Sequence, residues 1–173
     1  MVPPSVDESI APGEDAPAAA ARLAAEKAAD VAARHPDAWA LAADTLVFFP
    51  DGRILGKPRG DAEAADMLRQ ISGREHEVVT SVCLRRGAEA RTWSEVSKVR
   101  IAPLSDAEIS WYVATGEPRD KAGAYAVQGK GARFIESISG SYSNVMGLPA
   151  RGVYLLLRDA RDPALSALAP AFP

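Results

Sequence analysis

The stretch WALAADTLVFF, residues 39–49, is apolar throughout except at Asp44 and Thr45. A near-continuous apolar run of this length reads as a strand of the sort buried on both faces of a sheet. Pro50, Asp51 and Gly52 turn the chain out of it and into a short strand that ends at Gly56, Lys57 and Pro58. An ionised carboxylate in such a strand is costly unless a cation, a metal or several donors compensate it. Asp44 is therefore either a strand-end residue reaching solvent or a turn, or a metal ligand or general base at the edge of the sheet.

Working outward, residues 1–17 are rich in Pro, Asp and Glu and read as an irregular lead-in. The alanine-rich run 18–34 carries Leu23 and Val31 on one stripe with Ala20, Ala24 and Ala28, which predicts an amphipathic helix. Lys27 falls on that inward stripe, where it can snorkel along the apolar surface or aim its ammonium into a site. On the other side, Asp61 is placed to cap a helix with the inward stripe Ala64, Met67, Leu68 and Ile71, stopped at Ser72-Gly73. Residues 78–84 and 92–101 predict two long strands joined by a turn near Gly87, with Trp93 as packing. Ser105 and Glu108 have the spacing of a capping box for a short helix carrying Ile109, Tyr112 and Val113, which ends near Gly116.

Residues 117–147 turn glycine-rich and polar, the composition of a site wall, with strand-like stretches at 124–127 and 133–138. Lys121, Gln128, Lys130, Tyr142 and Asn144 offer donors there, and Gly123, Gly129, Gly131 and Gly140 permit close approach to a ligand. Loop flexibility explains the same glycines. A helix follows Leu148-Pro149 through Leu157, and residues 162–173 read as a frayed tail.

Composition bounds the function. With 20 Lys plus Arg against 23 Asp plus Glu the net charge is -3, so bulk attraction to nucleic acid or an anionic membrane is not expected. No apolar run reaches the roughly 18 residues that span a bilayer, and no signal sequence is evident, so the expected location is cytoplasmic. The single cysteine, Cys83, lies in a strand and fits a reducing compartment. His35 and His76 stand in no zinc-ligand spacing, so any metal should be held by oxygen. Lys57, between Gly56 and Pro58, is a point cation on extended backbone suited to a phosphate. The whole chain, 1–173, is expected to be a single domain.

Taken together, Ala-Asp-Thr at 43–45, Leu-Gly-Lys-Pro at 55–58 and Leu-Arg-Gln-Ile-Ser-Gly-Arg-Glu-His at 68–76 resemble the Maf family. So do Gly-Glu-Pro from Gly116, Lys-Ala-Gly-Ala-Tyr-Ala-Val-Gln-Gly from Lys121 and Gly-Ser-Tyr-Ser-Asn-Val-Met-Gly-Leu-Pro from Gly140. The resemblance implies an elongated α/β domain with a mixed, bent sheet flanked by helices, two lobes around a cleft, and a homodimer. It implies hydrolysis of a nucleoside triphosphate to the monophosphate and pyrophosphate with a divalent cation, Mg²⁺ or Mn²⁺. Asp44 would be the proton acceptor, with Glu8 as its acidic partner and both as metal ligands, and Lys27 and Lys57 would neutralise phosphate charge. Thr45, Gln128 and Lys121 would contact the substrate, Thr45 and Gln128 matching the branch that acts on dTTP and UTP, extending to CTP or modified pyrimidines. A noncatalytic nucleotide-binding role in cell division and 7-methyl-GTP hydrolysis are the alternatives. Members of the family carry a strand and a Ser-x-Ser-Pro-Arg-Arg loop ahead of the Asp-Glu string. The sequence is expected to lack both, through a start placed too late or, as the alternative, a truncation that leaves a binding or regulatory remnant.

Overall fold

The computed structural model describes residues 2–166 and Leu168. The first long element, α1 (Ala16–Arg34), starts ahead of the expected position 18, because Asp15 caps it by accepting the Ala18 N–H at 2.8 Å. Pro17 then sits in the first turn, where its missing donor costs nothing. Its buried face is almost all alanine, with Leu23 and Lys27, so the helix lies close on the sheet.

The stretch quoted above forms β1 (Ala40–Phe48) and pairs with the short β2 (Ile54–Leu55) through Val47 and Phe48. After α2 (Asp61–Ile71) come β3 (Glu75–Arg86) and β4 (Glu89–Ile101), a hairpin turned at Gly87, which takes positive φ. The capping box of Ser105 and Glu108 opens α3 (Asp106–Ala114) as expected. Beyond it run three 3-10 turns, then β5 (Ile135–Ser139), α4 (Tyr142–Val145), α5 (Ala150–Asp159) and α6 (Pro163–Ser166).

Five strands form one sheet in the order β2-β1-β3-β4-β5. The α/β class holds, but the sheet is antiparallel at every pairing among the described residues rather than mixed. Register decides the faces. Asp44 stands opposite Ser81 and Thr45 opposite Thr80. Leu46, Phe48 and Val79 pack with Ala16, Ala19 and Ala20 of α1, and Val47, Val78, Val99 and Ile101 pack on the other face with α2 and α3. Farther along that second face Val82 and Leu84 meet Trp93 and Leu156, so Trp93 is packing, as expected.

Three local expectations need correction. Asp61 does not cap α2: Gly60 holds that position, and Asp61 receives Arg119 instead. Residues 124–127 are not a strand, because Ala124 takes positive φ and the Ala126 N–H donates to the Tyr112 hydroxyl. The stretch 133–138 begins as a 3-10 turn, Lys130–Phe134, and becomes strand only at Ile135. Of the expected frayed tail, Pro163–Ser166 is a short helix with Leu165 buried; the end beyond Leu168 lies outside the described residues. No helix among the described residues is long and apolar enough to cross a membrane.

Candidate active site

β2 covers only the end of β1, so residues 40–46 have no strand partner on their outer side among the described residues. A pocket of about 530 Å³ opens along this edge, within the range of roughly 300 to 1,000 Å³ of small-molecule sites. Because successive side chains of a strand point to opposite faces, Asp44 reaches the α1 side and Thr45 the other. The edge divides the pocket into a charged half and a largely apolar half. Glu8, Lys27, Asp44 and Lys57 line the first, and Thr45, Val78, Tyr125, Val127, Met146 and Gly147 the second; Asp120, Lys121 and the exposed Gln128 complete the polar lining.

The charged half is an alternation of signs. Lys27 Nζ lies 2.6 Å from Asp44 Oδ1 and 2.8 Å from Glu8 Oε1. Lys57 Nζ lies 3.4 Å from Glu8 Oε2. Snorkelling is thus not what Lys27 does: its ammonium is the cation that compensates the carboxylate in the strand. Burial opposes the charge on Lys27, but its hydrogen bonds to Asp44 and Glu8 outweigh that and hold it above the usual lysine value. The Lys27 hydrogen bond keeps the Glu8 carboxyl below the usual glutamate value. Asp44 Oδ2 is buried and has no hydrogen-bond partner among the described residues. One oxygen is therefore anchored and the other leaves its acceptor capacity unused.

All seven residues singled out in the sequence line this one pocket: Glu8, Lys27, Asp44, Thr45, Lys57, Lys121 and Gln128. Lys121 arrives paired with Asp120 at 2.7 Å. Other donors of the glycine-rich segment do not. Asn144 is fully buried, and its carboxamide is spent on Thr80 N–H, Val78 C=O and Ser97 Oγ. Lys130 and Tyr142 are not among the residues that line the pocket. The glycines admit the protein's own groups rather than a ligand: a Cβ would meet Val47 at Gly123, Glu117 at Gly129, Tyr112 at Gly131 and Ser97 at Gly140.

Four residues that shape the pocket went unread as such in the sequence: Thr80, Asn144, Tyr112 and Glu117. Tyr112 donates to Glu117 Oε1 at 2.8 Å, while Glu117 accepts the N–H groups of Lys130 and Gly131 at 2.9 and 3.0 Å. Burial opposes its charge, yet these donors hold the Glu117 carboxyl below the ordinary value. Together the pair brackets the turn that carries Gln128. The one local signal was Thr80 itself, a polar residue inside the run Val-Val-Thr-Ser-Val.

Fold and pocket define an α/β protein with a cleft whose lining is charged on the α1 side of the β1 edge and largely apolar on the other. The chain belongs to the Maf-like protein family, whose model matches residues 1–160. It is 51% identical over 146 residues to a protein of Symbiobacterium thermophilum named dTTP/UTP pyrophosphatase, covering 84% of this chain and 75% of that one. Proteins of the same name from Anaeromyxobacter sp. Fw109-5 and Halalkalibacterium halodurans are 51% and 52% identical. The shares are 93% of this chain and 78% of the relative for the first, and 74% and 67% for the second.

Proposed function

We propose that this chain hydrolyses pyrimidine nucleoside triphosphates of the dTTP and UTP type to the monophosphate and pyrophosphate. The observation that carries the reading is Asp44, a residue of the pocket lining: Oδ1 is tied to Lys27, and Oδ2 is buried without a partner among the described residues. Relatives about half identical in sequence bear the corresponding name. In the reaction, Asp44 Oδ2 takes a proton from water as the water oxygen bonds to phosphorus and the bridging P–O bond breaks toward pyrophosphate. Lys27, Lys57 and Lys121 offset the charge growing on the departing phosphates.

Among the described residues no group of three or more His, Cys, Asp or Glu side chains is placed to hold a metal. A magnesium-like ion, however, is commonly held by one or two carboxylates together with substrate phosphates. The carboxylates of Glu8 and Asp44, both in the pocket lining, fit that role for Mg²⁺ or Mn²⁺. Such an ion, when bound, supplies Lewis-acid polarisation of a phosphoryl oxygen. The same reading carries a single domain over 1–173, cytoplasmic location and a homodimer, with no nucleic-acid or membrane partner.

The test is pyrophosphate release from dTTP, UTP, CTP and 7-methyl-GTP with Mg²⁺ or Mn²⁺, in the wild type and in Asp44→Asn. Turnover of dTTP and UTP that falls by about 10²- to 10⁴-fold in Asp44→Asn, with a smaller change in binding, is expected of a lost general base. Release of no pyrophosphate from any of the four removes the catalytic reading.

A further inference from the structure

Thr80 is fully buried and touches no solvent, yet it decides what Thr45 can offer to a ligand. Its hydroxyl lies 2.8 Å from the Asn144 carbonyl oxygen and 2.9 Å from the Thr45 hydroxyl. A carbonyl only accepts, and a hydroxyl has one proton. The Thr80 proton therefore goes to Asn144, and Thr45 must donate its own proton to Thr80. What remains on Thr45 Oγ1 toward the pocket is lone pair alone.

The Asn144 end of this chain is fixed as well. Its Oδ1 accepts the Thr80 N–H at 3.0 Å, and its Nδ2 donates to Val78 C=O at 3.0 Å and Ser97 Oγ at 2.9 Å. Flipping that amide would set donor against donor and acceptor against acceptor. No other donor of the described residues reaches Thr45 Oγ1, and Gly147, where a Cβ would stand 3.3 Å from that oxygen, places no side chain over it.

We infer that Thr80 is a positioning residue for base selection: by consuming the Thr45 proton it makes Thr45 an acceptor-only contact, matched to the imide N–H of uracil and thymine. Cytosine carries a lone pair at that ring nitrogen and meets the Thr45 lone pairs with repulsion. Gln128 does not make this distinction by itself. It is exposed, and among the described residues no hydrogen bond fixes which end of its carboxamide faces the pocket, so it serves either base. The inference rests on the pyrimidine triphosphate reading of this pocket.

The experiment measures kcat/KM for UTP and for CTP, which share one sugar and one triphosphate, in the wild type, Thr80→Val, Thr80→Ser and Thr45→Val, with thermal melting of each. Thr80→Val keeps the shape but frees the Thr45 proton to turn into the pocket, and the UTP-to-CTP ratio is expected to fall by about tenfold, the scale of one hydrogen bond. Thr80→Ser restores the chain of donors and the wild-type ratio. A general loosening would lower both rates and leave their ratio alone. Should Thr80→Val not fold, Thr80→Ala removes the same hydroxyl without adding an apolar contact. An unchanged ratio in folded Thr80→Val or Thr80→Ala overturns the inference and leaves the enzymatic reading standing. A wild type that hydrolyses neither nucleotide removes that reading itself, before any variant is compared.

Discussion

At the scale of single residues, the decisive arrangement is the alternation Asp44, Lys27, Glu8, Lys57, in which burial falls from one end to the other. The side chains of Asp44 and Lys27 are 8% and 11% exposed, whereas that of Lys57 is 60% exposed. The two lysines carry the same charge into the same pocket, but solvent decides what each is worth. Removing one partner of a buried pair leaves an uncompensated charge, while an exposed pair contributes little. Lys27→Met is therefore expected to lower unfolding free energy by about 3 kcal/mol in urea titration. Lys57→Met should lower it by no more than about 1 kcal/mol and act mainly by raising KM for the triphosphate. Equal stability losses in the two variants would contradict the buried pair. Asp44 was conspicuous in the sequence because a carboxylate in an apolar run breaks a local rule. Lys27 was legible only as a cation on an inward stripe, since whether it snorkels or pairs depends on a strand that follows it in the chain.

Among the elements, those built from local signals were readable: the capping box of α3, the apolar stripe of α2 and the β3–β4 hairpin all follow from spacing within a few residues. The wall at residues 117–134 was not, because contacts far along the chain decide its shape. Glu117 reaches forward to the amides of Lys130 and Gly131, and Tyr112 to that of Ala126. The composition there announced loops and glycines but not what the glycines are for, namely room for the Glu117 carboxylate and the Tyr112 hydroxyl. Replacing Glu117 by Gln keeps the volume but turns an amide donor toward one of these N–H groups or toward the Tyr112 hydroxyl. The expected result is faster hydrogen exchange at Lys130 and Gly131 with the helices unaffected, and KM for UTP raised by about tenfold with kcat little changed. Exchange at those two amides that matches the wild type would show that Glu117 does not hold the turn.

On the scale of the whole molecule, the same principle of burial predicts how stability varies with pH. His76 lies in β3 with no exposed surface, its Nε2 2.9 Å from the Tyr125 hydroxyl and its Nδ1 without a partner among the described residues. Burial pushes its pKa down from 6.5 to about 4. A folded state that refuses a proton the unfolded chain accepts loses stability as pH falls through the interval between the two values. Stability from this group is complete above pH 6.5 and declines toward pH 4, by about 3 kcal/mol over the interval at 1.36 kcal/mol per unit. Glu8 does not account for such a loss. Its carboxyl is held below 4.5, so its contribution disappears only as pH drops beneath that value. Unfolding free energies measured between pH 7 and 4.5 should thus fall steadily in the wild type. In His76→Gln, which has no proton to gain, the curve should be flatter over that range even if the variant is less stable at neutral pH. Parallel curves for the two proteins would mean that His76 titrates alike in the folded and unfolded states, and that its burial against Tyr125 carries no electrostatic cost.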